Sequence, residues 1–343
     1  MNAITATKNL CLSSAKKQAA WDSNKPLQLA LALPRICNAA CLYCYTEQYK
    51  PLADSLGLAE IKSLLQEAVE LGVETLVLPG YGEPMLHPLF WKVLAIAEGL
   101  GLYSLVFSNA TLINDVVAER LAEKPVSLMI KVNSLDRGVQ DRMAGRLGFA
   151  AEQQAGLSAL IRAGFNRLDE NGESRLAIDT LISKMTIEDV PAVVSWAVEN
   201  RIFPVVETLL FMGGVLENQG ELGYPEEIEA FNASVLERLN AMFPSRGHSK
   251  STFGESCDAE TYTLFLEASG HAVHCFSRRE VIGQFPRDTL AEIWEKSRDE
   301  RQKLIAGIDP RRGGGQGGCQ ACGHCQGRLD ALKKLRALTK GGE

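Results

Sequence analysis

The cysteines constrain this chain more than any other feature, because most of them occur in two tight groups. Two triplets lie towards opposite ends of the sequence, and no cysteine occurs between residues 45 and 256. The first group is Cys37, Cys41 and Cys44, the last is Cys319, Cys322 and Cys325, and Cys11, Cys257 and Cys275 lie apart. Secreted disulfide scaffolds are short and spread their cysteines along the chain. The grouping therefore predicts metal binding or catalysis.

The remaining composition is that of a globular protein with ample material for a core. The 343 residues are 46% hydrophobic and 23% charged, which fits one large domain or a main domain with an appendage. The net charge of -6 disfavours nucleic acid and anionic membranes as partners. No apolar run reaches the roughly 18 residues of a membrane span, and the first residues lack the apolar core of a signal peptide. We predict a cytoplasmic protein.

Six short apolar runs alternate with amphipathic helical patterns through the first two thirds of the chain. The runs cover residues 27–33, 75–78, 103–107, 127–132, 176–182 and 204–210. This alternation predicts an α/β fold whose parallel strands are joined by helices, as an open sheet or a partial (β/α)6 barrel. Chemistry in such folds sits at the carboxyl ends of the strands. The first cysteine group directly follows the first run.

The rest of the chain predicts a connection and a small second domain. Residues 261–276 predict a β-hairpin around Ser269-Gly270, and residues 288–297 predict a helix capped by Asp288, with Trp294 on its apolar face. The polar stretch 212–225 predicts a lid. The predicted division is a tail at 1–24, the barrel at 25–215, a connecting helix at 216–250, a hairpin and helix domain at 251–330 and a tail at 331–343.

The spacing of the first cysteine group allows two kinds of metal site. Three thiolates on a four-iron cluster leave one iron open to bind a small molecule. A structural zinc site needs a fourth ligand. None of residues 45–49 is Cys or His, although a distant ligand can fold in.

Four motifs in order resemble those of the radical S-adenosylmethionine (radical SAM) enzymes. They are Cys-x3-Cys-x2-Cys with Tyr43 before the last cysteine, residues 80–84 (Gly-Tyr-Gly-Glu-Pro), residues 108–111 (Ser-Asn-Ala-Thr) and residues 131–136 (Lys-Val-Asn-Ser-Leu-Asp). Tyr81 stands where the family has a glycine. The resemblance implies a partial barrel of the radical SAM type and a [4Fe–4S] cluster on the first cysteine group. It also implies SAM contacts from Tyr43, Gly80, Gly82, Glu83, Asn109, Lys131 and Ser134.

The later cysteines resemble the auxiliary-cluster extensions of the same family, called SPASM and twitch domains. Cys257-x12-Gly270-x4-Cys275 resembles their opening, and the last group resembles their closing ligands. A full SPASM domain has seven cysteines and two clusters, whereas five cysteines here imply one auxiliary [4Fe–4S] cluster. Four ligands suffice, so one of Cys319, Cys322 and Cys325 is left over. Cys325, if free, is a candidate hydrogen-atom donor; the alternative is that it is a ligand. His324 with these cysteines would allow zinc instead.

The resemblance implies reductive cleavage of SAM to a 5′-deoxyadenosyl radical that abstracts hydrogen from a substrate, with electrons from a flavodoxin, a ferredoxin or another reductant. We predict an oxidoreductase that dehydrogenates or epimerises a small polar metabolite, such as a sugar, cyclitol or nucleoside. About 25 residues precede the first strand, which leaves no room for a leader-peptide domain. The alternative is a maturase that cross-links or epimerises a ribosomally made peptide. A non-enzymatic zinc protein is the alternative of another class.

Four charged residues on or near the predicted strands are candidates for a catalytic base. They are Lys131, Arg175, Asp179 and Glu207. Charges at strand ends more often stabilise the fold or bind a cofactor than act as bases. The sequence singles out none of the four.

Overall fold

The computed structural model describes residues 4–10, 12–33, 36–46, 55–242 and 259–307. Cys11, Cys257 and the whole last cysteine group lie outside these ranges. The predictions for those cysteines, for His324 and for the tail at 331–343 therefore stay predictions.

A nine-stranded sheet organises the described part of the chain. Its strands are β2 (Gln28–Leu31), β3 (Thr75–Leu78), β4 (Tyr103–Ser108), β5 (Val126–Lys131), β7 (Leu176–Ile182), β8 (Phe203–Thr208), β9 (Thr263–Leu266), β10 (His271–Val273) and β11 (Val281–Gln284). The order is β11-β10-β9-β2-β3-β4-β5-β7-β8, and the strands from β9 to β8 run parallel. The two outermost strands, β11 and β8, do not pair with each other, so the described sheet is open. The prediction of an α/β partial barrel is confirmed. The six predicted apolar runs coincide with β2, β3, β4, β5, β7 and β8.

Twelve helices in the described ranges precede, connect or follow the strands. They are α1 (Ser14–Ser23), α2 (Leu58–Leu71), α3 (Phe90–Gly99), α4 (Asp115–Ala122), α5 (Arg137–Met143), α6 (Phe149–Arg162), α7 (Val190–Glu199), α8 (Gly214–Glu217), α9 (Gln219–Leu222), α10 (Pro225–Met242), α11 (Leu290–Lys296) and α12 (Arg298–Gly307). Short 3₁₀ turns occur at Pro84–Leu86 and Ala259–Thr261. Helix α2 ends at Leu71, because the next residue, Gly72, takes a φ of 107° that favours glycine. No helix in the described ranges is long and apolar enough to cross a membrane.

Alternation along the strands separates two apolar layers, one on each face of the sheet. In β2, Leu29 and Leu31 belong to the main core formed with the helices. Ala30 and the following Ala32 belong to a different cluster on the other face of the sheet.

The predicted hairpin is present, and it continues the main sheet. Strand β10 pairs antiparallel with β9, and β9 pairs parallel with β2. Gly270 has a φ of 81°, and its N–H donates to the Glu267 carbonyl at 2.8 Å. A Cβ at this position would lie 2.2 Å from the Phe285 carbonyl oxygen, so the turn requires glycine. The hairpin therefore packs against the strands of the barrel.

Two sequence predictions differ from the structure in local detail. Thr289, not Asp288, caps α11, because Thr289 has extended backbone angles and its side chain accepts a hydrogen bond from the Glu292 N–H. Asp288 instead accepts from the Gln284 N–H at 2.8 Å. The segment predicted as a tail contains β1 (Ala6–Thr7) and α1, and β1 pairs with β6 (Glu173–Ser174). Trp294 is buried, as predicted.

Candidate functional site

A cavity of about 330 Å³ lies at the carboxyl ends of the parallel strands. Cys37, Cys41 and Cys44 all line it, and Cys275 of the hairpin segment lines it as well. Six of the seven predicted SAM-contacting residues also line this cavity: Tyr43, Gly80, Gly82, Glu83, Asn109 and Lys131. The topology thus brings together motifs that are far apart in the sequence.

The thiols of the first group are half-buried, and burial raises the pKa of two of them. It raises the pKa of Cys37, although a backbone hydrogen bond at Ala39 opposes the shift. It raises the pKa of Cys41 to about 12. In the metal-free protein these two thiols therefore hold their protons at neutral pH, and a bound metal must displace them.

This donor set fits an iron–sulfur cluster. The three cysteines reach one cavity from successive points of a single loop, and a four-iron cluster takes one thiolate on each iron that it bonds to the protein. Within the described ranges, no group of three His, Cys, Asp or Glu side chains is arranged to hold a metal ion between them. A cluster on these thiols would have one iron without a cysteine.

Polar contacts join the cysteine loop to the two neighbouring motifs. The Glu83 N–H donates to the Ile36 carbonyl at 2.9 Å. The Asn38 side chain accepts from Asn109 Nδ2 at 2.7 Å and donates to Thr111 Oγ1 at 2.8 Å. The side chain of Asn109 thus fixes the loop, and its predicted contact with SAM stays a prediction.

Glu83 connects two of the motifs through its buried carboxylate. It accepts hydrogen bonds from Ser108 Oγ at 3.0 Å, the Met85 N–H at 3.2 Å and the Asn109 N–H at 2.8 Å. Burial raises the pKa of Glu83 to about 7, and these three hydrogen bonds oppose the rise. The carboxylate holds the loop after β3 against the end of β4.

Three adjacent strands place a lysine between two carboxylates on the cavity wall. Lys131 Nζ lies 2.7 Å from Asp179 Oδ2 and 3.5 Å from Glu207 Oε2, and 5.5 Å from the centre of the Tyr43 ring. Burial alone would lower the pKa of Lys131, but the two carboxylates raise it. Burial, and then Glu207, raise the pKa of Asp179 to about 7, while Lys131 opposes the rise. The cavity wall thus carries a fixed ammonium group beside Tyr43.

Two sequence candidates lie away from the cavity-lining residues of the described chain. Ser134 is buried, donates to Asp189 Oδ2 and accepts from the Asp136 N–H at 3.0 Å. Arg175 donates to four backbone carbonyls at the end of α4 and the start of β5. Arg175 therefore stabilises the fold, whereas the predicted SAM contact of Ser134 is untested.

The sequence reading missed two buried glutamines that fix the strand ends. Gln153 Nε2 donates to the carbonyls of Asn109 and Lys131 at 3.0 and 2.9 Å. Gln140 Oε1 accepts from the N–H groups of Asn133 and Ser134 at 3.0 and 3.2 Å. The sequence feature that could have identified them is a glutamine on the apolar face of a helix.

The hairpin segment places a backbone donor and a hydroxyl group within hydrogen-bond distance of the fourth thiol of the cavity. The Arg278 N–H lies 3.2 Å from Cys275 Sγ, and Ser277 Oγ lies 2.9 Å from it. Burial raises the pKa of Cys275 to about 12, against these hydrogen bonds. Such donors suit a sulfur that becomes a thiolate ligand.

A partial barrel whose first loop presents three thiols to a cavity at the strand ends is the architecture of an iron–sulfur enzyme. Residues 31–214, more than half of the chain, match the family model described as the Radical SAM superfamily. The chain belongs to that superfamily, whose members use SAM and a [4Fe–4S] cluster. These two predicted cofactors are thereby confirmed.

Known proteins resemble about half of the chain. It is 25% identical to the AdoMet-dependent heme synthase of Methanosarcina barkeri over 170 residues, 49% of this chain and 46% of that protein. It is 27% identical to the PqqA peptide cyclase of Xanthomonas euvesicatoria over 176 residues, 51% of this chain and 45% of that protein. The matches span less than half the length of these two relatives.

A solved structure extends the similarity of fold. Streptococcus suis SuiB bound to precursor peptide SuiA has a TM-score of 0.61 and 16% sequence identity. The match covers 82% of this chain and 68% of SuiB. At this identity, the similarity establishes the fold alone.

Proposed function

We propose that this chain is a radical SAM enzyme that modifies a ribosomally made peptide. The observation that carries the radical chemistry is the meeting of three thiols with the SAM-motif loops in one cavity. The peptide is supported by the relative named a peptide cyclase and by the structural neighbour bound to a precursor peptide. This support favours the peptide alternative over a small polar metabolite.

The chain's own residues would bind, orient and shield the reactants. The bound cofactors supply an electron and a 5′-deoxyadenosyl radical, which is the difficult part of the chemistry. Apolar side chains on the cavity wall, among them Phe107, Met129 and Phe276, exclude water from that space. Lys131, held by its two carboxylates, presents a charged group to the polar part of a cofactor or substrate.

The proposal includes one auxiliary [4Fe–4S] cluster at Cys275. Its other ligands would be Cys257 and two of the last three cysteines, and a flavodoxin or ferredoxin would supply electrons. The cysteine that is left over, Cys325 in particular, keeps the predicted role of hydrogen-atom donor.

The first test measures 5′-deoxyadenosine from SAM in the anaerobically reconstituted, chemically reduced protein. The wild type should form it, Cys41→Ala should not, and Cys11→Ala should behave as the wild type because it changes a cysteine outside both groups. A wild type with a full iron content that forms no 5′-deoxyadenosine would overturn the radical function.

The substrate class is tested by adding candidates to the same reaction. The probes are synthetic peptides from short reading frames beside the gene, and a matched set of sugars, cyclitols and nucleosides. We expect a peptide to increase 5′-deoxyadenosine formation and to change in mass. Stimulation and product formation by a metabolite but by none of the peptides would restore the small-metabolite interpretation.

A further inference from the structure

The spacer residues of the cysteine loop are hydrogen-bonded to the backbone at the C-terminal end of α5. The Ala40 N–H donates to the Ala144 carbonyl at 2.9 Å, and the Leu42 N–H donates to the Met143 carbonyl at 3.0 Å. These two hydrogen bonds hold this part of the loop against the end of α5. The residue that follows Ala144 is Gly145.

A second segment, the connection after β8, also forms hydrogen bonds to the loop. The Gly214 N–H donates to the Cys44 carbonyl at 2.7 Å. Asn218 Nδ2 donates to the Leu42 carbonyl at 3.1 Å. This connection belongs to the stretch predicted as a lid, and it packs directly on the cysteine loop. Residues 40–44 are therefore hydrogen-bonded to two separate segments of the chain.

Each of these two segments approaches the cysteine loop closely because it has a glycine at the point of contact. A Cβ on Gly145 would lie 2.2 Å from the Ala40 carbonyl oxygen, and a Cβ on Gly214 would lie 2.6 Å from the Leu42 carbonyl oxygen. Real Cβ atoms essentially never come within 3.0 Å of such a neighbour. Both obstacles are backbone atoms of the loop, so a side chain at either position displaces the loop itself.

We propose that Gly145 and Gly214 are positioning residues for the iron–sulfur loop. They let the two segments close on residues 40–44, which places the thiols of Cys41 and Cys44 before the metal is bound. A loop ordered in advance spares cluster binding the entropic cost of ordering it. Neither glycine belongs to the cysteine motif or to the SAM-motif segments.

The test follows the thiols of the full-length, metal-free protein under anaerobic conditions. Iodoacetamide labels exposed cysteines, and mass spectrometry of digests gives the rate at each one. In Gly145→Ala and in Gly214→Ala, we expect Cys41 and Cys44 to react about tenfold faster than in the wild type, while Cys275 keeps its wild-type rate. Iron bound per chain on reconstitution should fall in the same two variants.

The chain offers a matched control for each variant. Gly148 has a φ of 79°, close to the 62° of Gly145, but nothing lies within 4 Å of an added Cβ. Gly220 lies in the same connection as Gly214, and the nearest atom to its Cβ would be 3.8 Å away. Gly148→Ala and Gly220→Ala should therefore label and load iron as the wild type does.

The proposal is overturned if the two clashing variants label like their controls, or if Cys275 accelerates as much as Cys41, since general loosening would then explain the change. Gly214 has no positive φ, so Gly214→Ala keeps the test open should Gly145→Ala fail to fold. The labelling needs no SAM, cluster or substrate. Its outcome is therefore independent of the peptide-modifying function proposed above.

Discussion

At the scale of single residues, Glu83 links stability to pH. The pKa of its buried carboxyl is about 7 in the folded protein, above the ordinary 4.5. Its stabilising contribution is therefore complete below pH 4.5 and is lost as the pH rises through 7. We expect the wild type to lose about 3 kcal/mol more unfolding free energy than Glu83→Gln over this range. Urea unfolding of the metal-free protein at a series of pH values measures the difference.

Glu70→Gln is the control, because Glu70 is an exposed carboxylate on α2. It should leave the pH profile of the wild type unchanged. Asp179 titrates in the same range but is present in all three proteins, so it does not enter the comparison. Identical slopes for Glu83→Gln and the wild type would refute this account.

At the scale of elements, Tyr81 attaches the loop after β3 to the hairpin β9–β10. Its hydroxyl donates to Glu267 Oε1 at 3.3 Å, and Glu267 pairs with Arg279 at 2.7 Å. Its ring centre lies 5.2 Å from that of Phe276, next to Cys275. A buried tyrosine thus occupies the position at which the family has glycine.

Substitution at Tyr81 should loosen the hairpin more than the rest of the sheet. We expect Tyr81→Phe, which removes only the hydroxyl, to cost about 1 kcal/mol of unfolding free energy. Tyr81→Ala also removes the ring and should cost about 3–5 kcal/mol. Amide hydrogen exchange should then accelerate in β9–β10 and stay slow in β4–β5. Equal acceleration in both pairs would show that Tyr81 supports the whole fold rather than this attachment.

The elements also show what sequence alone can predict. Mostly apolar runs such as 176–182 identify buried parallel strands, because both faces of such strands are covered. The pairing of β9 with β2 left no such signal, since which strands become neighbours depends on tertiary packing. The contact of Ala40 with Ala144 joins backbone to backbone, so only the adjacent Gly145 marks it in the sequence. Six of the seven residues implied by the family resemblance line one cavity, but the sequence did not show which polar groups have partners within the protein.

At the scale of the whole molecule, one sheet positions both the first cysteine group and Cys275. The cysteine loop follows β2, and Cys275 follows β10, which is joined to β2 through β9. Although β10 runs antiparallel to β9, both the cysteine loop and Cys275 line the same cavity. A substrate in that cavity would be near the SAM-binding cluster and near the site proposed for the auxiliary cluster.

The two proposed clusters should be separable by substitution, because their cysteines lie on different segments of this sheet. The reconstituted wild type should hold about eight irons per chain, and Cys275→Ala about four, since one [4Fe–4S] cluster is lost. Cys275→Ala should still form 5′-deoxyadenosine, because the loop that binds SAM is unchanged. Cys41→Ala should also hold about four irons but form none. An iron content unaffected by Cys275→Ala would exclude Cys275 as a necessary ligand, leaving the hydrogen bonds around its sulfur with a purely structural role.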